Sequence, residues 1–478
     1  MPTLTHSPMY SAAQEGFSPM VEWLNGCRYE DVPPDVLTSG KQCLLDGLAC
    51  LLAGLHAQPI ADYRHVLEFN SANKTGLVPI GGALEAGIFD AANLYAQAAN
   101  ILDFDDCYRY APSHPGATII GPALACAHVL KRSGQDMLLA IVKAYEASLR
   151  IGASLCPSDA APSKDIGYAT WQIFGAYVAA GTLLKLDHDQ WIQGFGLAAQ
   201  QAPVPMIVRT NPQGGYTWLK NTYGAAASAG VMSAFLAKQG YIGDQHFFSE
   251  EFGFWKIYGS DRFRPECLDA LPGDDWLIRH VEFKPWACCR WSHPALEAIL
   301  QMKPSIDLRK LQSIDLYAFK EFCGTLDSPY PANLVDAQFN VRFLIAVALL
   351  HNDVNAALRA PDFGSEELQK LFSKIHIHHD PECDALRRID MSVPTKVVVK
   401  LAGESSREIL ISEPLGSERR GIADMAQTQG KFRDALWPLM PGNQAEKIID
   451  LVMSLERHTA TGLMETAFTE AENVGTTS

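Results

Sequence analysis

Hydrophobic periodicity changes abruptly along this chain, and that change limits what the chain can fold into. From Pro34 to about Leu271, apolar residues recur at three- and four-residue spacing. Segments such as VLTSGKQCLLDGLACLLAGL, EAGIFDAANLYAQAANIL and ATIIGPALACAHVLKRSG therefore predict helices throughout, one of them over Ala83–Leu102. Many are apolar nearly all round, with Ala, Gly and Ser interspersed, so they are expected to be buried on several sides with closely approaching backbones. After LDALPGDDW (Leu268–Trp276) the period becomes two. HVEFKPW, SIDLYAF, KIHIHHD, KVVVKLAG and SREILISE alternate apolar and polar residues, as half-exposed strands do. Two helical patterns, HPALEAILQM and AQFNVRFLIAVALLH, interrupt the strands, and Ala402-Gly403-Glu404-Ser405 is expected to turn the last pair into a hairpin. Past Pro414 the pattern is helical again, and the tail AENVGTTS is expected to be disordered.

A length of 478 residues is long for one core. The expected fold is mainly α with an α+β lid: a large all-helical domain from 1–272, a smaller inserted α+β domain at 273–414, and C-terminal helices at 415–478 completing the first domain. A cleft between two such domains is a common place for a small-molecule site.

The formal net charge of −15 argues against nonspecific binding to nucleic acid or an anionic membrane. The most apolar long stretch, TYGAAASAGVMSAFLA (Thr222–Ala237), is too short and too rich in Ala and Gly to span a bilayer. MPTLTHSPMYSAAQEG lacks the regions of a secretory signal, and NVGTTS is neither a prenylation box nor a Ser-Lys-Leu address, so the cytoplasm is the expected compartment. Eleven scattered cysteines read as reduced thiols rather than a disulfide framework.

Three stretches crowd chemistry into short spans. In LDFDDCYRYAPSHPGA, the acids Asp103, Asp105 and Asp106 fall at a helix C-terminus, where the dipole disfavours anions. They need partners, and Arg109 and His114 are close in sequence. The stretch is either a polar loop with local ion pairs or a site in which a carboxylate tunes an imidazole for proton transfer. In EFKPWACCRWSHPALEA, a strand carries Lys284. Arg290 follows, and Ser292-His293-Pro294 opens a helix, which places His293 near positive dipole charge. In QGGYTWLKNTYGAAASAG, Lys220 precedes a small-residue helix and reads equally as a surface lysine. HIHHD alternates like metal ligands but has no carboxylate or cysteine at ligand spacing, so an exposed polar strand is expected and no metal site is assigned. GGYTW fits no nucleotide-binding pattern.

Together these stretches resemble the MmgE/PrpD family, which includes 2-methylcitrate dehydratase, cis-aconitate decarboxylase and iminodisuccinate epimerase. LDFDD…HPGA is similar to its D-F-D-D…H-P signature, and KPWACCRWSHPALEA to K-P-Y-x-C-C-x-x-x-H-P-x-x-[DE]-A. VDAQFNVRFLIAVALL is similar to a later A-x-F-S-x-x-Y segment, and LLDGLACLLAG also fits. The resemblance runs from about residue 40 to about 415. It implies a helical domain with an α+β lid, a homodimer, no cofactor, and proton transfer at a carbon next to a carboxylate. It also implies catalytic roles for Asp103, His114 and His293, and places Cys107 where the decarboxylases have Thr.

The chain departs from the family pattern at two places. Lys220 is near the family's catalytic lysine, but counting back from the glycine of the following helix puts Leu219 at that position, so either the turn differs by one residue and Lys220 keeps the catalytic role or the role is lost. In DIGYATWQIFGAYVAAG the family's Gly-[FW]-His-x-Thr becomes Gly167-Tyr168-Ala169-Thr170-Trp171, so a histidine is replaced by Ala169 and a threonine by Trp171. Tyr168, Ala169 and Trp171 are then expected to shape the substrate pocket. Arg109, Arg290 and Lys220 are candidates for holding substrate carboxylates. The expected activity is a lyase, foremost a dehydratase of a citrate-like, possibly alkyl-substituted, polycarboxylate. A decarboxylase of a cis-aconitate-like acid, an epimerase, and an inactive binding subunit are the alternatives.

Overall fold

The computed structural model describes residues 17–60, 63, 77–81, 84–111, 113–158, 168–203, 220–249, 253–269, 272–273, 275–437 and 439–468. Arg209, which the sequence offers as a further candidate anion binder, lies outside the described residues, as do Leu219, the C-terminal tail from residue 469, the side chain of Tyr168 and the residue before it.

The first body is built from α1 (Ser18–Gly26), α2 (Pro34–Gly54), α3 (Ile88–Ile101), α4 (Pro115–Val129), α5 (Gly134–Leu155), α6 (Tyr168–Leu184), α7 (His188–Gln201) and α8 (Tyr223–Lys238). Helix α8 packs against α6, α3 and α7, and α3 against α2 and α4. The starts follow local chemistry. Pro34 opens α2, where its missing N–H costs nothing. Ser133 and Asp136 form a reciprocal capping box at α5. Close packing depends on small residues: a Cβ on Gly54 would strike the carbonyl of Ala98, so the crossing of α2 and α3 requires glycine there. Helix α2 has the length and hydropathy to cross a membrane, but most of it is buried against other helices.

Two features of this body differ from the sequence expectation. Strands β1 (Val78–Gly81) and β2 (Leu84–Ala86) pair antiparallel within the stretch expected to be helical. The helix expected from Ala83 begins instead at Ile88, because Gly87 takes an extended conformation at its N-cap.

The α+β part contains α9 (His293–Met302), β3 (Leu311–Ala318), α10 (Val341–Leu350), β4 (Ile375–His379), β5 (Thr395–Leu401) and β6 (Arg407–Ile411). Its sheet has the order β4-β3-β5-β6, with β3 and β4 parallel and the other pairs antiparallel. Four of the five expected strands are present, and the Gly403 turn joins β5 to β6 with φ +76°. HVEFKPW is not a strand: it pairs only at one bridge, Glu282 with Cys107, and Pro285 ends any ladder. The HIHHD strand is an edge, largely exposed as expected, with His378 on Asp315 (2.9 Å) and His379 on Asp384 (2.7 Å).

After the sheet the chain returns to the first body. Helix α11 (Met425–Leu436) lies on α2, where Gln42 Nε2 donates to Thr428 Oγ1 (2.9 Å). Helices α12 (Gly442–Met453) and α13 (Ala460–Phe468) follow, the latter stacking Phe468 on Tyr95. All eleven cysteines are free thiols.

Candidate active site

The acids that looked misplaced at the end of α3 have their partners. The last carbonyls of a helix lack intrahelical donors; here side chains donate to two of them, Asn100 and Ile101, and to the two carbonyls just past the C-cap, Asp103 and Phe104. Lys220 Nζ donates to Asn100 O (3.0 Å), Gln338 Nε2 to Ile101 O (2.8 Å), Lys284 Nζ to Asp103 O (2.8 Å) and Lys431 Nζ to Phe104 O (2.6 Å). Asp103 adopts a left-handed backbone conformation, φ +51°. That costs a non-glycine residue on the order of 1 kcal/mol, so it persists only where neighbours fix it.

The Asp103 carboxylate sits between two ammonium groups. Oδ1 lies 2.5 Å from Lys220 Nζ and 3.0 Å from Lys284 Nζ, with all three side chains buried. Burial pushes the carboxyl pKa up, but Lys220 and Lys284 outweigh it and hold Asp103 ionised, well below the usual carboxylate range. Lys220 is lowered from its ordinary value, chiefly by burial and further by the charge of Lys284, against the pull of Asp103. It is thus the readier of the two to release a proton. Lys284 is raised: burial opposes this, and Asp103 carries it.

His114 is the N-cap residue of α4. Its Nδ1 is 2.9 Å from the carbonyl oxygen of Asp106 and 3.4 Å from Asp105 Oδ1. A carbonyl can only accept, so Nδ1 carries the proton and Nε2, 3.9 Å from Asp103 Oδ1, holds the lone pair. Burial lowers the His114 pKa to about 4, and the adjacent carboxylates of Asp105 and Asp103 only partly offset it. The ring is a neutral base at pH 7. Asp106 also braces this turn from its side chain, accepting from Gly116 N (2.9 Å) and the Tyr145 hydroxyl (2.6 Å). Burial, then Asp46 and Asp105, push Asp106 up to about 7.

His293 opens α9 and is also buried. Its Nε2 is 3.3 Å from Cys288 O, which assigns that nitrogen the proton, and its ring meets Trp286 edge to face. Burial, followed by the charge of Lys284, lowers its pKa to about 3. Cys107, Lys284, Arg290 and His293 line a narrow crevice together with Glu282 and Gly416. The Cys107 thiol is pushed up to about 12 by burial and stays neutral.

Asp103, Asp105 and His114 each offer a donor atom within 4.8 Å of the others, a set that could suit a divalent cation. Two ammonium groups already neutralise the Asp103 carboxylate and would repel a dication beside it, so the residues present do not fit one.

Two family models match the chain, the MmgE/PrpD N-terminal domain over residues 18–266 and the MmgE/PrpD C-terminal domain over residues 286–457. The chain belongs to the MmgE/PrpD family. A cis-aconitate decarboxylase of Aspergillus terreus is 25% identical, over 95% of this chain and 96% of that enzyme. A cis-aconitate decarboxylase-like protein of Aspergillus oryzae is 24% identical, over 91% and 94%. A 2-methylcitrate dehydratase of Salmonella typhimurium is 23% identical, over 90% and 91%.

Within this MmgE/PrpD chain the structure brings Asp103, His114 and Lys220 together, with Lys284 linking them to the crevice that His293 lines. Lys220 is not a surface lysine. It is 3% exposed, its backbone is left-handed at φ +59°, and its ammonium reaches Asp103 although it is displaced by one residue from the family position.

Two expectations are corrected. Arg109 is not open to a substrate carboxylate. Its Nε and Nη2 donate to Glu282 Oε1 (3.3 and 3.2 Å), and its Nη1 and Nη2 to Glu413 (3.0 and 2.5 Å). It clasps the segments that enter and leave the α+β part. Trp171 does not face the crevice either. It is 1% exposed and packs on Gly152 of α5, where a Cβ would collide with the indole. Ala169 lies in a small buried cluster with Ala117 and Tyr223, the latter edge-on to His114 at 6.2 Å between ring centroids. Arg290 pairs with Glu282 and lines the crevice.

Sequence reasoning singled out Lys284 without giving it a role; a lysine before Pro285 in an apolar stretch was the available signal. Glu282 and Glu413 carried no comparable signal.

Proposed function

We propose that this protein is a lyase acting on a citrate-like polycarboxylate through proton transfer at a carbon next to a carboxylate. The observation that carries this reading is His114, neutral, with Nδ1 fixed as donor and Nε2 left with its lone pair beside Lys220 and Lys284. His114 takes the proton from carbon at Nε2, and Asp105 and Asp103 stabilise the imidazolium that forms. The substrate carboxylate gains charge as an enediolate, which Lys284 and Arg290 stabilise because they are already in place. Bound carboxylates bring negative charge beside His293, whose proton affinity rises. His293 then takes up a proton from solvent to become imidazolium and passes it to the departing hydroxyl, which leaves as water while the ring returns to its neutral form. Electrons from the broken C–H bond form the new carbon–carbon double bond as the C–O bond breaks.

Decarboxylation is the second reading, favoured by the fungal relatives named for that reaction. Loss of carbon dioxide leaves a carbanion on the substrate, which Lys220 or a histidine reprotonates. A cytoplasmic homodimer working without a cofactor belongs to the same proposal.

The test is incubation of purified protein with citrate, 2-methylcitrate, cis-aconitate and an alkylcitrate, with products followed by proton NMR. Formation of an unsaturated acid from a hydroxy acid supports dehydration. Consumption of cis-aconitate with release of carbon dioxide supports decarboxylation. No reaction with any of them contradicts the reading and favours an inactive binding subunit.

A further inference from the structure

The turn that carries Asp103 is held by three lysines, Lys220, Lys284 and Lys431, and the last comes from outside all three stretches that the sequence singles out. Lys431 lies on α11, in the last part of the chain, and reads in sequence as one charge on an amphipathic surface helix. The structure buries it. Its side chain is 9% exposed, its Nζ lies 2.6 Å from Asp46 Oδ1 and donates to Phe104 O at 2.6 Å, and the ammonium stands 4.0 Å over the Phe104 ring. Asp46 belongs to α2 and is itself 2% exposed.

Phe104 is the residue between the strained Asp103 and the pair that holds His114. Asp105 Oδ2 accepts from Asn100 Nδ2 (2.8 Å), its Oδ1 faces His114 Nδ1, and the Asp106 carbonyl accepts the His114 Nδ1 proton. Lys431 therefore fixes the middle of the turn, with Asp103 on one side and the His114 acceptors on the other. A buried ammonium paired to a buried carboxylate is costly to assemble and costly to break, which suits a part that must keep one geometry. Its reach also makes a helix some 300 residues downstream complete the turn, since Lys431 and Phe104 are separated by 327 positions.

We infer that Lys431 of α11, anchored by Asp46, is a positioning residue that fixes the Asp103–Asp106 turn and through it the orientation of the His114 ring. This rests on the proposed role of His114 for its catalytic consequence, but not for its structural one.

The test pairs a spectroscopic readout with a kinetic one on the full chain. Histidine ring nitrogens are labelled with ¹⁵N, and the His114 signal is identified by its loss in His114→Gln. At pH 7 the wild type and Lys431→Arg should both show a single Nδ1–H tautomer. Lys431→Met should show mixed or exchange-broadened tautomers. With whichever polycarboxylate is turned over, Lys431→Met should lower kcat by about tenfold to hundredfold, as a small misplacement of a catalytic group does. KM should change little, and Lys431→Arg should recover most of the rate. Asp46→Asn leaves the Phe104 contact in place and should give a smaller effect in the same direction; it also serves if Lys431→Met does not fold. A wild-type His114 signal in folded Lys431→Met, or in Asp46→Asn when only that variant folds, overturns the inference. Absence of turnover in the wild type would count against the lyase reading alone, since the ring signal still reports the positioning.

Discussion

The two turns that carry the histidines differ in the charges packed around them. The carboxylates of Asp105 and Asp103 stand 3.4 and 3.9 Å from the His114 ring and offset the lysines Lys284 and Lys220 behind them, whereas the cations Lys284 and Arg290 outweigh the distant Asp103 at His293. Burial dominates at both sites, so both rings are neutral, at about 4 and about 3. The surroundings separate their chemistry. Carboxylates welcome the positive charge that a base acquires, which suits His114 to receiving a proton. Cations repel that charge until an anionic substrate arrives, which suits His293 to acting only in the complex.

The largest test of this contrast is removal of each ring. His114→Ala should lower kcat by about 10²- to 10⁴-fold, the range for losing a general base. If His293→Ala is equally damaging to proton abstraction alone, measured as solvent exchange without elimination, the division of labour is wrong. The same contrast has a pH signature. His114 must be neutral to act, its pKa is lowered, and its active form prevails above that value. Activity in kcat/KM should therefore hold from pH 7 downward and fall only as pH drops through about 4. A limb near 6.5 would place the ring in a solvated setting instead.

Arg109 ties the two turns together, since it follows the first turn and grips Glu282 beside the second. Arg109→Met removes the main partner of Glu413 and one of the two arginines on Glu282, leaving Arg290, and should destabilise the fold by about 3 kcal/mol, read by denaturant titration, because the cluster is buried. Were Arg109 a substrate-binding group, the main effect would be on KM. Gly152→Ala forces a methyl against Trp171 and should cost about 1–3 kcal/mol of stability by overpacking. An unchanged KM in that variant would agree with Trp171 belonging to the core. Arg290→Gln should have the smallest effect, lowering kcat/KM by about tenfold with part of the loss in kcat, equivalent to about 1.4 kcal/mol of transition-state stabilisation.

Much of this architecture was legible in the sequence because periodicity reports which face of an element is buried. The helical body, four of the five expected strands and the Gly403 hairpin followed from it. The strand expected at HVEFKPW failed because alternation there reflects a segment pinned by Glu282, Lys284 and Pro285 rather than a ladder. His114, His293 and Asp103 were legible from polar residues set in apolar surroundings and from family signatures. Lys431, Glu282 and Glu413 were not, since a charged residue on a helix or near a turn looks like a solvated one until distant segments are brought against it. Arg109 and Trp171 were misplaced for the same reason: their partners, Glu413 and Gly152, carry no mark in sequence.

Solvent exchange tests the central claim most directly. Wild-type protein and His114→Ala are incubated in deuterated water with citrate, 2-methylcitrate and cis-aconitate, and deuterium at the carbon next to a carboxylate is followed by proton NMR. The account predicts incorporation into at least one of these acids by the wild type and its loss in a folded His114→Ala. Incorporation that survives in His114→Ala would contradict His114 as the base, whatever product is formed.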